Sequence, residues 1–310
     1  MKRLRNKTIS KAARVLLGVS FLLAPQLPFA ETFLSGEAVW PAYEGWHPNA
    51  DGTFSLMFGY MNDNWEQEPY VAIGDNNFIS PGGADQGQPT NFMPRRNRFT
   101  FEVTVPSDWG DRELVWTLNI NGVEARAYGT LKSDYLVDNM VIASETGSLG
   151  IGTSSPESRA NIPPVLSIQG DEVRTARVGE AISLVSHVVD DGLPRSRAGT
   201  SRTESTLLRT MLRTPQKPTV NKINGLYLSW NVYRGQGKVT FDPPQTKVWE
   251  DTRTSANSPW SYLWLPPEIP DDGMIEVSAT FEEPGTYVLW NRADDGGLYH
   301  DAYITVNVTE

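Results

Sequence analysis

The 310-residue chain carries 27 Lys and Arg against 37 Asp and Glu, a formal net charge of −10, and no cysteine. An acidic balance argues against nucleic acid and anionic membrane as partners, since both are met with clustered basic residues. The missing cysteine excludes disulfides, thiolate metal sites, a thiol nucleophile and cysteine-linked lipid anchors.

The N-terminus reads as a targeting segment. Lys2, Arg3, Arg5, Lys7, Lys11 and Arg14 form a basic region without an acid, and residues 15–24 (VLLGVSFLLA) follow as an apolar run. A membrane-spanning helix needs roughly 20 apolar residues, so this run is too short to remain as an anchor. The pattern is that of a secretory signal peptide over residues 1–30, with cleavage after Ala30. Its loss takes the net charge from −10 to −16. No later segment is apolar enough to span a bilayer, so the mature protein is expected to be exported, periplasmic or secreted. About 280 residues suffice for a core without disulfides and suggest two domains.

Residues 31–143 alternate in the manner of half-buried strands. Phe54, Leu56, Phe58 and Tyr60 share one face, as do Phe99, Phe101, Val103 and Val105, and then Leu114, Trp116, Leu118 and Ile120. Asn121-Gly122 is hairpin chemistry and predicts pairing of 114–120 with 123–129. Residues 74–96 read as a loop. Residues 144–162 are rich in Gly, Ser, Thr and Pro and are expected to be a flexible linker. Short strands are then predicted at 165–168, 173–178, 181–189, 226–232, 239–241, 275–281, 285–293 and 299–308. Gly, Pro and Asp turns between them suggest a two-sheet sandwich over 163–310, with insertions at 195–222 and 249–273. The fold class is therefore all-β, two β-sandwich, immunoglobulin-like domains joined by a linker. Trp230 falls where such a core seats its tryptophan. Glu283-Pro284-Gly285-Thr286-Tyr287 has the form of a tyrosine corner, and Leu289 stands where a disulfide cysteine would.

Two stretches carry a resemblance. VGEAISLVSHVVDDGLP, LYLSW, FEEPGTYVLWNRADDGG and ITVNV resemble the strands of PKD-like and other bacterial immunoglobulin-like extracellular modules. The likeness spans 163–310 and implies a spacer or binding unit. YEGWHPNADGTFSLMFGYMNDNWEQE, PGGADQGQPTNFMPRRNRFTFEVTVP and ELVWTLNINGVEARAYGTL resemble a family of uncharacterised exported bacterial proteins, to which no activity attaches.

Catalytic motifs are sparse. His47, His187 and His300 are far apart, and no His-x-x-x-His pair, phosphate loop or nucleophile elbow occurs. A glycosidase needs only two carboxylates, so a carboxylate-dependent hydrolase stays open as the third reading. The aromatics of the first domain, above all Trp46, Trp65 and Trp109, offer glycan contacts, with core and loop packing as the alternative. Trp260, Tyr262 and Trp264 alternate as a strand with one apolar face would. The segment 195–222 holds seven basic residues against one acid. Leu207, Leu208, Met211 and Leu212 could form the apolar face of a short helix there.

Asp190-Asp191-Gly192 and Asp294-Asp295-Gly296 leave strands that end at one pole of an immunoglobulin-like sandwich, with Asp301 beside them. Five carboxylates in one region need an explanation. Tight turns alone, cover by the basic insertion, and calcium, which takes six to eight oxygen ligands, are the three candidates. No other cofactor is implied. The leading reading is a non-catalytic binding or structural module whose partner is an extracellular protein or glycan.

Overall fold

The computed structural model describes residues 33–148, 154–195, 222–261 and 263–310. The signal-peptide segment, and the insertion over 196–221 with its apolar face, lie outside the described residues.

The first sandwich packs sheet β1-β2-β4 against sheet β3-β5-β6. Its strands are β1 (Val39–Pro48), β2 (Phe54–Asn62), β3 (Asn77–Ser80), β4 (Arg95–Val105), β5 (Leu114–Ile120) and β6 (Val123–Gly129). Period-2 alternation puts Leu56, Phe58 and Tyr60 of β2 against Trp116, Leu118 and Ile120 of β5, all nearly free of solvent. The β5–β6 hairpin closes on Asn121-Gly122, with Ile120 opposite Val123 and φ of 53° and 79° at the two turn residues. Those left-handed angles are what the Asn-Gly pair supplies.

Two expectations need correcting here. The stretch predicted as loop contains β3, which pairs with β5. Phe99 does not share a face with Phe101. The β2–β4 register shifts between Phe58 and Tyr60, and Phe99 adopts φ 49°. This bulge turns Phe99 to the outside of the sheet, where it clusters with Met57 and Val137. Gly59 lies across the bulge, and a Cβ there would sit 2.4 Å from the Asn97 carbonyl oxygen.

The second sandwich consists of β7 (Val165–Ile168), β8 (Val173–Arg177), β9 (Ala181–Val189), β10 (Tyr227–Arg234), β11 (Val239–Asp242), β12 (Met274–Phe281), β13 (Gly285–Asp294) and β14 (Tyr299–Thr309). One sheet runs β7-β9-β12-β11 and the other β8-β14-β13-β10, with β8 and β14 parallel. This is the immunoglobulin strand order. Trp230 is 1% exposed in a core with Leu184, Val277 and Leu289. The Tyr287 hydroxyl donates to the Glu283 carbonyl at 2.8 Å, which makes the tyrosine corner.

Within sheet β8-β14-β13-β10, β10 and most of β13 are buried on both faces. Trp230 and Leu289 point into the second sandwich, while Tyr227, Tyr233 and Trp290 join the core cluster of the first. Trp249 and Trp264, from the stretch expected as an insertion at 249–273, join that same cluster. The strand expected around Trp260, Tyr262 and Trp264 is absent at the described positions, which are turns and irregular backbone. Thr90 and Asn91 donate their backbone N–H groups to the Tyr233 carbonyl, and Arg234 reaches the Gln88 carbonyl and Asp85.

The described part of the expected linker is docked rather than free. It begins in the last turn of helix α1 (Asn139–Glu145), capped by Asp138, and carries α2 (Pro156–Ala160), closed by a Ser155–Ser158 capping box. Asn161 is buried against the second sandwich, its amide donating to Asp295, and Ser148 is buried with its hydroxyl on the Ala143 carbonyl. Residues Phe33–Glu310 accordingly form one compact unit.

A shared core of this kind should melt once. Calorimetry is expected to show a single unfolding transition, and two separated transitions would restore independent domains. Trp230→Ala should cost about 3–5 kcal/mol, as large core truncations do. Tyr287→Phe should cost about 1–3 kcal/mol, because it leaves the Glu283 carbonyl without its donor. Chemical denaturation of the three proteins measures both.

Candidate functional site

The acidic pole is built from the turn between β13 and β14. Asp294 ends β13, and its carboxylate accepts from the Lys222 ammonium at 2.7 and 2.5 Å, from the Tyr227 hydroxyl at 3.2 Å and from the Gly296 N–H at 2.7 Å. The Lys222 and Asp294 side chains are 1% and 5% exposed. Lys222 is the last residue of the basic insertion, so the counter-charge at this point is that lysine. Asp295 accepts from the N–H groups of Gly297 and Leu298 through one oxygen and from the Asn161 amide through the other. Burial, reinforced by the neighbouring Asp294 charge, pushes its carboxyl up to about 7, beyond what those three donors recover.

The remaining acids are spent differently. Asp301 holds Arg292 through both oxygens at 2.8 Å and accepts from the Trp290 indole at 2.7 Å. Asp190 and Asp191 close turns onto the N–H groups of Gly192 and Leu193 at 2.9 and 2.8 Å. Asp191 also accepts from the Ile162 N–H at 3.3 Å. Among the described residues, no three His, Asp or Glu side chains converge as metal ligands. Asp190, Asp191, Asp294, Asp295 and Asp301 are thus not gathered into the donor set that calcium requires.

The three tryptophans singled out as glycan contacts are engaged within the chain. Trp46 donates to the Lys132 carbonyl and meets Phe54 edge-on at 5.5 Å. Trp65 carries the guanidinium groups of Arg95 and Arg253 at 4.5 and 5.1 Å. Trp109 is 7% exposed, with Arg112 over its ring at 4.6 Å.

A concave site lies elsewhere, along the seam where β4 faces β14. Three adjoining clefts open there, of about 510, 350 and 350 Å3. Glu102 lines all three, Tyr299 the first two and Tyr303 the last two. Alternation explains the set: Tyr299, Asp301 and Tyr303 share one face of β14, while Ile304, Val306 and Val308 share the opposite face and fill the second core. Glu102 is the outward residue between Phe101 and Val103. Its side chain is 41% exposed and stands 3.3 Å from His47. Burial pushes the Tyr299 phenol well above its ordinary value, so it stays a neutral hydroxyl. Phe99, turned outward by the bulge, stacks on Tyr299 with ring centroids 6.4 Å apart.

Arg292 fixes this seam. It lies over Tyr299 at 3.9 Å and Trp290 at 4.7 Å, and donates to the Phe99 carbonyl at 2.8 Å. Burial works against its charge, but Asp301 outweighs that and holds the guanidinium above its ordinary value. Sequence reasoning named Asp301 for the wrong neighbours and missed Arg292, Glu102, Tyr299 and Tyr303. The available signal was Tyr299, Asp301 and Tyr303 on the polar face of a strand.

No family model and no curated protein matches the chain. Among solved structures, the D0-D1 domain of Intimin aligns over 86% of this chain and 97% of its own, at 12% identity and a TM-score of 0.22. A chimeric titin Z1Z2 carrying a decorin peptide aligns over 88% of this chain and 100% of its own, at 10% identity and 0.23. Sidekick-1 immunoglobulin domains 1–4 align over 89% of this chain and 51% of theirs, at 10% identity and 0.22. The fold assignment rests on the strand order itself.

The Asp295 carboxyl sets a pH dependence. A carboxyl raised from its ordinary value near 4 to about 7 binds its proton more tightly in the folded state. Its stabilising contribution is complete below about pH 4 and is lost as the pH rises through about 7. Asp295→Asn removes the titration while keeping an acceptor for Gly297 and Leu298. The melting temperature of the variant relative to wild type is expected to climb between pH 5 and pH 8. A flat difference would place the Asp295 titration outside that window.

Proposed function

We propose that the chain is an exported, non-catalytic binding module whose ligand seats in the seam groove. The observation that carries this reading is the continuity of three clefts sharing Glu102, Tyr299 and Tyr303, in a seam held by the buried Arg292–Asp301 pair. Concave, partly apolar surfaces with a few convergent polar groups are where small ligands and chain segments bind. Export is supported by the basic and apolar N-terminal regions. Among the described residues, no helix is long and apolar enough to cross a membrane.

The groove favours a saccharide. Phenol rings and an apolar floor from Phe101 and Val288 suit the flat faces of sugar rings, and Glu102 accepts from hydroxyls. Hydrolysis is the weaker reading. Of the two carboxylates in the middle cleft, Asp301 has both oxygens held by Arg292, which leaves Glu102 without the second free acid that glycoside cleavage uses. The first-sandwich tryptophans are weaker candidates because Trp65 and Trp109 already carry guanidinium groups.

A glycan array on the mature protein, followed by calorimetry on any hit, tests the proposal. Tyr303→Ala and Glu102→Ala should each weaken binding by about tenfold or more, the equivalent of one lost charge-assisted hydrogen bond or ring contact. Trp65→Ala should leave it unchanged. Loss on Trp65→Ala alone would move the site to the first sandwich, and an empty array would remove saccharides as the ligand class.

A further inference from the structure

We propose that Lys222 and Asp294 are a site of self-catalysed cross-linking, in which their side chains condense to an intramolecular amide. The proposal is independent of the groove. The geometry is that of two reactants rather than a distant ion pair. The Lys222 nitrogen lies 2.7 and 2.5 Å from the two Asp294 oxygens, with both side chains almost wholly removed from solvent. Its surroundings hold it there: the Trp260 ring lies 5.1 Å from the nitrogen, and the Lys222 backbone N–H donates to the Gly147 carbonyl at 3.0 Å. Placement of an amine against a carboxyl in this way supplies the large effective concentration that drives intramolecular reactions.

The chemistry is supported by what surrounds the carboxyl. Two buried charges are costly to keep in a low-dielectric interior, and condensation removes both at once. The step begins with transfer of a proton from the ammonium to the carboxylate, giving a neutral amine and a carboxylic acid. The nitrogen then attacks Cγ of Asp294, a C–N bond forms, the C–OH bond breaks, and the hydroxyl leaves as water with a proton from the nitrogen. No oxidant or co-reactant is needed. Charge that develops on Oδ1 faces the Gly296 N–H at 2.7 Å, and the Tyr227 hydroxyl donates to Oδ2, the departing oxygen, at 3.2 Å, donors fixed by the β13–β14 turn and by β10.

The bond would join the segment entering β10 to the end of β13, closing a loop of chain that includes Trp230, Trp249 and Trp264. Such a closure constrains the unfolded state as a disulfide does, in a chain without cysteine.

Mass spectrometry of the denatured, full-length mature protein decides the matter. The expected result is a mass lower by one water, and a protease digest containing one branched peptide with Lys222 joined to Asp294. Lys222→Arg should restore the full mass, and Tyr227→Phe should slow the loss of water after refolding. A wild-type protein of full mass with linear Lys222 and Asp294 peptides overturns the proposal. A loss of water that persists in Lys222→Arg overturns it too, because it would then arise from ring closure at Asp295-Gly296.

Discussion

A guanidinium buried between two sheets is the constraint on which the rest of this structure depends. Arg292 sits on β13 directly opposite Asp301 on β14, and the Nη2 that reaches Asp301 also donates out of the second sandwich to the Phe99 carbonyl of the first. Such a pair is not retained for net stability, since an apolar replacement of equal volume often does as well. Its effect is positional. The planar fork accepts one arrangement of Asp301 oxygens, the two flanking rings set its tilt, and the third acceptor exists only because the bulge in β4 presents Phe99 outward. A sheet face that would otherwise be solvated is thereby committed to one register against the neighbouring sandwich. Salt should weaken this link little, because the charges are shielded from solvent.

Period-2 alternation made much of the β architecture legible. The rows on β2 and β5, the Asn-Gly hairpin, the buried Trp230 and the Tyr287 corner depend on residues within a few positions of one another, so local pattern determines them. The shared core was not legible in that way. In β10, Tyr227, Ser229, Asn231 and Tyr233 form the face that meets the first sandwich, and two of those four look like solvent-facing residues. A strand buried on both faces reads as apolar throughout only when its polar residues find no partners. Here Ser229 finds the Thr246 carbonyl and Asn231 finds Ser229, so polarity and burial coexist. The same confusion made a docked segment look like a linker, because Asn161 is a typical linker residue whose partner, Asp295, lies far along the chain.

The candidate site was legible as composition but not as pairing. The aspartates at the pole are visible in the sequence, yet Lys222 and Asn161, which Asp294 and Asp295 meet, are 72 and 134 residues distant. No spacing rule connects such groups. Asp301 belongs to the seam by alternation along β14, which takes its side chain toward Arg292 and away from the turn. Glu102 was hidden for the opposite reason. An acid alternating with Phe101 and Val103 is the ordinary mark of a solvent face, and only the approach of β14 turns that face into the wall of a groove.

Groove and pole are two ends of one hairpin. Asp294 is the register partner of Tyr299, and Arg292 that of Asp301, so the turn carrying the buried acids continues directly into the strand carrying the groove residues. Anchoring at the pole limits how far Tyr299 can shift without disturbing the Lys222 contact, and Arg292 limits how far it can turn. A groove whose walls are held twice gives up little conformational freedom on binding, so more of the contact energy would appear as affinity. On the proposed binding role, the same rigidity would narrow what can enter, because a ligand would have to fit the spacing of Tyr299, Glu102 and Tyr303 as it stands.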